Sequence, residues 1–323
     1  MKAIPKSIDD LLMYRIARMY YQNDLSQAQI AKRIGLSRPQ ISRYLKRARE
    51  TGMVEINVND PYTGESEEIS ARIKSLLGLK DVVVAPLERS KNDDQEKIFE
   101  SIAAKASSYL PPIILHSKTV GVGWGRTLYR TIITMDHFSR GSDIVFVPLT
   151  GAIGQTVPFY QVNSMVDRLA EKFGAERVFL NIPAFASAGE FYHSTILSYP
   201  FDSVGDYWSK LDLAIIGLGG PKGTLSAEIE PSIVAILREQ GAVGDILGQF
   251  FKSDGEICIS GMEDNLVGIP IGKLREVENV VCLSGGVEKV EGIIAAARAC
   301  YFNTLITDEK TASHILKTLE DDR

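Results

Sequence analysis

Polar and basic side chains crowd one face of SRPQISRYLKR, residues 37–47, while Ile41 and Leu45 fall at helical spacing on the other face. Arginine, glutamine and serine near the start of a helix can form hydrogen bonds with base edges in the major groove. Basic side chains further along the helix suit phosphates. The predicted DNA-binding residues are Ser26, Gln27, Ser37, Arg38, Gln40, Ser42, Arg43, Lys46 and Arg47.

Three helices are needed to position that face. The apolar spacing predicts a first helix over Ile8–Tyr21, Ser26 is a natural cap for a second, and Gly35 supplies the turn that ends it. Ser37 then caps the third helix, Gly52 closes it, and MVEINV alternates like the strand of a wing. The second and third helices are expected to bury Ala28, Ile30, Ala31, Ile34, Ile41, Leu45 and Ala48. An ordinary basic helical hairpin is the alternative.

A second cluster, VGVGWGRTLYRTI at 120–132, places alternating glycines between a strand and a helix. Such a corner aims backbone amides and the positive end of a helix at an anion, and Arg126 and Thr127 could assist. The dinucleotide fingerprint is absent, because Arg126 stands where its third glycine belongs. Phosphate binding is therefore favoured over tight strand–helix packing.

Two ionisable residues complete this predicted site. Asp245 lies among apolar residues and glycines in GAVGDILGQFF, so it could accept sugar hydroxyls or act as a structural cap. Lys289 follows another strand–glycine corner, where a cation is easier to explain beside a bound phosphate than alone, although solvent exposure is the alternative. PLTGAIG and GLGG, containing Gly151 and Gly219, are expected to line the same rim.

The long remainder alternates apolar runs with helical segments, which predicts βαβ units around a mostly parallel sheet. The predicted strands are DVVVAPL, KTVGVGWG, DIVFVPL, RVFLNIPA, LDLAIIGLGG and NVVCLSGG, and helices are predicted at Gln95–Tyr109, Arg126–Met135, Val162–Phe173 and Val290–Cys300. The polar stretch PYTGESEE interrupts regular structure and marks a boundary near Pro61. A helix with Ile69, Ile73, Leu76 and Leu77 follows, and packing on the body or a dimer contact both remain open. These features divide the chain into residues 1–60, a linker or oligomerisation helix at 61–79, and a body at 80–323.

Charge and composition narrow the class of protein. Residues 1–56 carry a formal charge of +6 and the remainder −11, a distribution typical of a nucleic-acid-binding module joined to a separate domain. No apolar run is long enough to span a membrane, and the scattered cysteines and histidines predict neither disulfides nor a metal site. We therefore expect a cytoplasmic protein without cofactor or metal.

Taken in order, these motifs resemble the SorC family of sugar-responsive transcriptional regulators over almost the whole chain. The matching pieces are the helix-turn-helix, VGVGWGRTL, VPLTGAIG, DLAIIGLGG, GAVGDILGQFF, LSGGVEKVEGIIAAARA and NTLITDEKTA. The resemblance implies a winged-helix-like N-terminal domain and a Rossmann-like α/β effector domain similar to sugar-phosphate isomerases and deaminases. It also implies a homotetramer that binds operator DNA and a phosphorylated sugar.

The same resemblance assigns roles within the body. Gly123, Gly125, Arg126 and Thr127 would lie against the phosphate, Asp245 would bind hydroxyls, and Lys289 would bind the phosphate or an oxygen near it. The implied effector-binding set is Gly123, Trp124, Gly125, Arg126, Thr127, Gly151, Gly219, Asp245 and Lys289. Two departures from the family pattern are Ala152, which stands where a second glycine is common after PLTG, and LSGG, a milder change from the commoner AGG. A sugar-phosphate isomerase or deaminase with a DNA-binding domain is the alternative, but no acid–base constellation supports catalysis.

Overall fold

The computed structural model describes residues 8–23, 25–51, 53–54, 63–86, 95–138, 143–152, 160–185, 201–220, 229–261 and 266–321. The chain divides into two compact units, Met1–Pro61 and Tyr62–Arg323.

The first unit is built from three helices, α1 (Ile8–Tyr21), α2 (Gln27–Ile34) and α3 (Arg38–Glu50). Gln29 N–H donates to Ser26 Oγ over 3.3 Å and closes a capping box at α2, and Gly35 ends that helix at φ 78°. At α3, Ser37 N–H donates to Gln40 Oε1 over 2.9 Å. The buried core contains Met13, Ile16, Ala17, Ile30, Ile41, Leu45 and Ala48. The predicted helix-turn-helix is confirmed.

Two details of the first unit differ from expectation. Ala28 is exposed rather than buried, because the short α2 fully buries only Ile30. Helix α3 ends at Glu50 and is capped by Thr51 rather than by Gly52. Gly52 and residues 55–58 of the predicted wing strand lie outside the described residues, and 53–54 form a bend.

The second unit contains nine described strands and eight described helices. Its strands are β1 (Asp81–Ala85), β2 (Thr119–Val122), β3 (Val145–Pro148), β4 (Glu176–Arg177), β5 (Leu213–Gly217), β6 (Gly244–Ile246), β7 (Gln249–Phe251), β8 (Asn279–Leu283) and β9 (Thr304–Asp308). Its helices are α4 (Thr63–Leu77), α5 (Gln95–His116), α6 (Arg126–Thr134), α7 (Val162–Phe173), α8 (Phe201–Trp208), α9 (Pro231–Glu239), α10 (Val290–Arg298) and α11 (Glu309–Asp321). The 3₁₀ turns Ile271–Glu276 and Val287–Lys289 precede β8 and α10.

The main sheet has seven parallel strands in the order β1-β9-β8-β5-β2-β3-β4. From β2 the chain moves outward to β3 and β4, then returns to place β5 on the other side of β2. The crevice between β2 and β5 is thus a topological switch point, where open α/β sheets bind ligands beyond the carboxyl ends of their strands. Buried clusters fill both faces of the sheet. The predicted α/β architecture is confirmed.

The strand predicted at RVFLNIPA is wrong beyond its first residues. Only Glu176 and Arg177 pair with β3, and Phe179 is 41% exposed. Leu180 instead exchanges hydrogen bonds of 3.1 Å with the side-chain amide of Asn163. That amide takes the place of a neighbouring strand and ends β4 at the sheet edge.

Helix α4 corrects the expected linker. PYTGESEE was predicted to interrupt regular structure, but the helix begins at Thr63, inside that segment. Ile73 is fully buried, and Ile69, Leu76 and Leu77 pack against the same core as Leu79 and Leu316. Of the two alternatives, packing on the body is therefore observed. A role for α4 between subunits stays a prediction.

Ile73→Ala should lower the free energy of unfolding of the second unit by about 2–5 kcal/mol, because it removes a fully buried side chain and leaves a cavity. Chemical denaturation of the full chain measures this change. Lys74→Ala, at an exposed neighbouring position, should have little effect. If Ile73→Ala changed only the mass of the assembly and not the unfolding curve, the packing described for α4 would be contradicted.

Candidate functional site

A cavity of about 330 Å³ lies at the carboxyl ends of β2, β5 and β8, at the topological switch point between β2 and β5. It receives residues from both faces of the sheet, from the β6–β7 hairpin and from the start of α5. Its lining consists of Gln95, Phe99, Trp124, Gly125, Arg126, Thr127, Leu128, Gly217, Leu218, Gly219, Gly220, Asp245, Leu247, Leu283, Glu288 and Lys289.

One wall of the cavity is the beginning of α6. Gly125 adopts φ 131°, a conformation that disfavours side chains, and serves as the N-cap of the helix. The first amide groups of a helix have no partner within it, so this end can bind an anion. The hydroxyl-bearing Thr127 is buried in the same wall, and Trp124 lies beside it.

Arg126 is held beside this wall by contacts from α5. Its guanidinium carbon lies 4.8 Å from the centre of the Phe99 ring, and its Nη1 lies 4.0 Å from Glu96 Oε1. Glu96 makes a closer contact, 2.6 Å, with Arg130. Arg126 is therefore oriented by an aromatic face and a distant carboxylate while its side chain remains 37% exposed.

The opposite part of the cavity contains a buried carboxylate. Asp245 is 4% exposed, and its backbone exchanges hydrogen bonds of 2.9 and 3.1 Å with Gly219. A methyl group on Gly219 would overlap Oδ1 of Asp245, so glycine is required there. Burial raises the pKa of Asp245 to about 6, although a hydrogen bond from the Gly248 backbone and the charge of Lys289 oppose that rise.

The hairpin that carries Asp245 is tight. Leu247 and Gly248, its two central residues, both have positive φ, 55° and 82°. Such a two-residue turn fits the twist of a hairpin, but leucine rarely adopts this conformation. Leu247 is buried in the cavity wall, so tertiary packing outweighs its backbone strain. The sequence lacked the Asn-Gly signal that would have predicted this turn.

Lys289 lines the same cavity, and its charge interacts with those of both Asp245 and Arg126. It is the last residue of the 3₁₀ turn before α10 and is half-buried. Burial lowers the pKa of Lys289, while the charges of Glu288 and Asp245 act in the opposite direction. A methyl group on Gly220 would lie 3.4 Å from Cγ of Lys289, so the lysine stem lies against the loop after β5.

Two residues of the predicted effector set do not line the cavity. Gly123 donates its N–H to Ile215 O over 2.8 Å, so that amide is already occupied. Gly151 donates to Val267 O, and its Cα lies too close to the backbone of Ile182 and Ala184 to admit a side chain. Close backbone packing explains both glycines. Neither residue is among those that line the described cavity, and their part in effector binding stays a prediction.

Other lining residues could not be found from the motifs. Gln95 and Phe99 come from the first turns of α5, far away in sequence, and Gln95 Nε2 lies 3.4 Å from Glu288 Oε1. Glu288 directly precedes the predicted site residue Lys289, and this adjacency is the signal that could have placed Glu288 in the site. Leu247 lies in the largely apolar stretch GAVGDILGQFF, and its residue type gives no signal of a place in the cavity wall.

Most of the predicted DNA-binding residues lie on the exposed face of α3, and some of them already form hydrogen bonds within the protein. Arg38, Gln40, Ser42, Arg43, Lys46 and Arg47 are all exposed. Gln40 uses its carbonyl oxygen to accept from Ser37, and Arg47 pairs with Asp9 over 2.5 Å. Among the described residues Arg38 and Arg43 have no such partner. Ser26 and Ser37 act as helix caps, and Gln27 is half-buried.

Within the described part of the chain, no helix is both long and apolar enough to cross a membrane. The described residues also contain no group of three or more His, Cys, Asp or Glu side chains that could hold a metal ion.

Two protein families match this chain. The profile of a sugar-binding domain family matches residues 62–317, and that of a winged helix-turn-helix DNA-binding family matches residues 21–55. The chain belongs to the SorC family. It is 29% identical over 315 residues to the sorbitol operon regulator of Klebsiella pneumoniae, covering 96% of this chain and 99% of that protein. It is 28% identical over 317 residues to the deoxyribonucleoside regulator of Bacillus subtilis, covering 95% and 98%.

Solved structures agree with this assignment. The full-length sorbitol operon regulator SorC from Klebsiella pneumoniae matches with a TM-score of 0.77 and 28% identity, over 96% of this chain and all of that one. This SorC-family protein is thus a DNA-binding transcriptional regulator with a sugar-binding domain. Its relatives are named as regulators, so the alternative of an enzyme is not supported.

Replacing the buried acid should change the pH dependence of stability. The pKa of Asp245 is about 6 in the folded protein against 3.8 for an unperturbed aspartate, so the folded state binds the proton more tightly. Wild-type stability should therefore fall between about pH 4 and pH 6 by about 3 kcal/mol from this residue, and no further above that range. Asp245→Asn should remove the loss and be more stable by about 2–3 kcal/mol at about pH 8, with no gain at about pH 4.

Denaturation of the ligand-free protein at both pH values measures this difference. Asp136→Asn, an equivalent change at an exposed position, should leave both curves unaltered. Equal stability of Asp245→Asn and wild type at high pH would show that the carboxylate is not destabilised by burial.

Proposed function

We propose that a phosphorylated sugar, bound in the cavity of the second unit, changes the affinity of this regulator for its operator. The single observation that carries the proposal is the pairing of opposite chemistries in one cavity. The start of α6, with Arg126 and Thr127, lines the same cavity as the buried carboxylate of Asp245. Lys289 also lines this cavity, and its charge interacts with those of Asp245 and Arg126. A sugar phosphate presents the complementary groups, an anion and hydroxyl donors.

The individual roles follow from that arrangement. The amides after Gly125, together with Arg126, Thr127 and Lys289, would bind the phosphate, since charge-assisted hydrogen bonds are the strongest available to it. Asp245 would accept hydroxyl hydrogen bonds beside Gly219, and Trp124 would pack on the carbon chain. Gly123 would act only through close packing. The names of the sorbitol operon and deoxyribonucleoside regulators support a carbohydrate-related effector.

Coupling to DNA requires differential affinity. The effector can alter operator binding only if it binds one arrangement of the protein more tightly than the other, and a difference of about 1–3 kcal/mol gives an effect of about 5- to 150-fold. The genes controlled would be those for carbohydrate transport or metabolism. A homotetramer and a cytoplasmic location, expected from the resemblance and the composition, remain predictions.

Fluorescence anisotropy on labelled DNA from upstream of the protein's own transcription unit tests the proposal. One member of a panel of sugar phosphates should shift the binding curve at fixed salt, and its unphosphorylated sugar should not. Salt is held constant because phosphate contacts make the affinity for DNA steeply salt-dependent. If DNA binds and the free sugar acts as well as its phosphate, the phosphate assignment is wrong.

Two variants separate the two sites. Arg43→Ala should weaken specific DNA binding by about 1–3 kcal/mol and leave effector binding intact, because it removes an exposed donor of α3. Lys289→Ala should weaken the binding of the sugar phosphate by about 10- to 100-fold and leave DNA binding intact. Lys317→Ala, which removes an exposed lysine outside the cavity, is the control for charge. An unchanged effector response in Lys289→Ala would remove that residue from the site.

A further inference from the structure

One carboxylate on α1 holds two residues of the DNA-facing helix. Tyr44 donates its hydroxyl to Asp9 Oδ1 over 2.7 Å, and Arg47 Nη1 donates to Asp9 Oδ2 over 2.5 Å. The two donors lie one helical turn apart on α3, so both oxygens of Asp9 are engaged by the same face. Both hydrogen bonds hold the pKa of Asp9 below its usual value.

This contact changes what Arg47 can contribute on DNA. Its position, late in the DNA-facing helix, suits a phosphate contact, yet its charge is already paired with Asp9 at hydrogen-bond distance. To contact a phosphate fully, Arg47 would have to leave that carboxylate. A cation that is neutralised before binding displaces fewer counterions from DNA when it binds.

We propose that Asp9 is a positioning residue that fixes α3 through Tyr44 and withholds Arg47 from the DNA backbone, limiting sequence-independent binding. Specific recognition then rests on the other exposed residues of α3, Arg38 and Arg43 among them. Asp9 also lies in one shallow depression with Gln40 and Arg43, on the side of α3 that carries predicted DNA-binding residues. The inference concerns the DNA-binding unit alone and does not depend on the identity of the effector.

The test uses the full chain and a labelled duplex of random sequence, so that no operator needs to be known. The affinity is measured from about 50 to about 200 mM salt, and the slope of its logarithm against the logarithm of salt concentration counts phosphate contacts, at about 0.9 for each. Asp9→Asn keeps an acceptor for Tyr44 and removes the charge. It should steepen the slope by about 0.9 and tighten binding several-fold at the low-salt end.

Companion variants separate this role from a purely structural one. Arg47→Gln alone should leave the slope at the wild-type value, and adding Arg47→Gln to Asp9→Asn should abolish the gain. Tyr44→Phe removes only the second hydrogen bond to Asp9 and should leave the slope unaltered.

Two results would overturn the proposal. One is a slope that falls by about 0.9 in Arg47→Gln alone, since Arg47 would then contact phosphate despite Asp9. The other is a gain in Asp9→Asn that persists in the double variant, since it would not pass through Arg47. If Asp9→Asn unfolded the first unit, judged by circular dichroism, the single Arg47→Gln variant would still decide the question, because Arg47 is 52% exposed.

Discussion

The pairing of β2 with β5 is the constraint on which the candidate site depends. Because the chain leaves β2 in one direction across the sheet and returns to β5 on the other side, the connections that follow these two strands diverge. The crevice between them collects the glycine-containing turns after Val122, Gly217 and Leu283. Parallel topology thus determines where a ligand can enter before any side chain is considered.

The glycines of these turns serve different purposes that the sequence alone does not separate. Gly125 adopts a positive φ in the cavity wall, and Gly219 leaves room for the carboxylate of Asp245. Gly123 and Gly151 permit close backbone packing. All four stand in similar motifs with similar neighbours. The motifs therefore indicate one edge of the sheet, but they do not show which of its glycines line the cavity and which permit close packing.

The sequence predicted the helix-turn-helix and most of the parallel sheet because capping residues and apolar periods are local signals. It missed β9, whose Thr304, Thr307 and Asp308 are buried polar residues in a strand that is covered on both faces. It ended α5 at Tyr109, whereas buried contacts of Leu110, Pro111 and Ile114 sustain the helix through two prolines to His116. In each case tertiary packing outweighed a local preference, and no window of the sequence contains the packing partners.

The cavity contains two ionisable groups whose charged forms are disfavoured by burial. Asp245 is ionised at neutral pH only at a cost, because burial opposes its charge, and burial likewise disfavours the ammonium form of Lys289. A ligand that donates hydrogen bonds to the carboxylate and places an anion beside the lysine would stabilise both charged forms at once. Binding would then lower the pKa of Asp245 and raise that of Lys289, so the same contacts that select a hydroxylated anion would also stabilise the arrangement that binds it. A neutral sugar could donate hydrogen bonds to the carboxylate but could not place an anion beside the lysine, so the proposed phosphate would stabilise a charge that an unphosphorylated sugar would not.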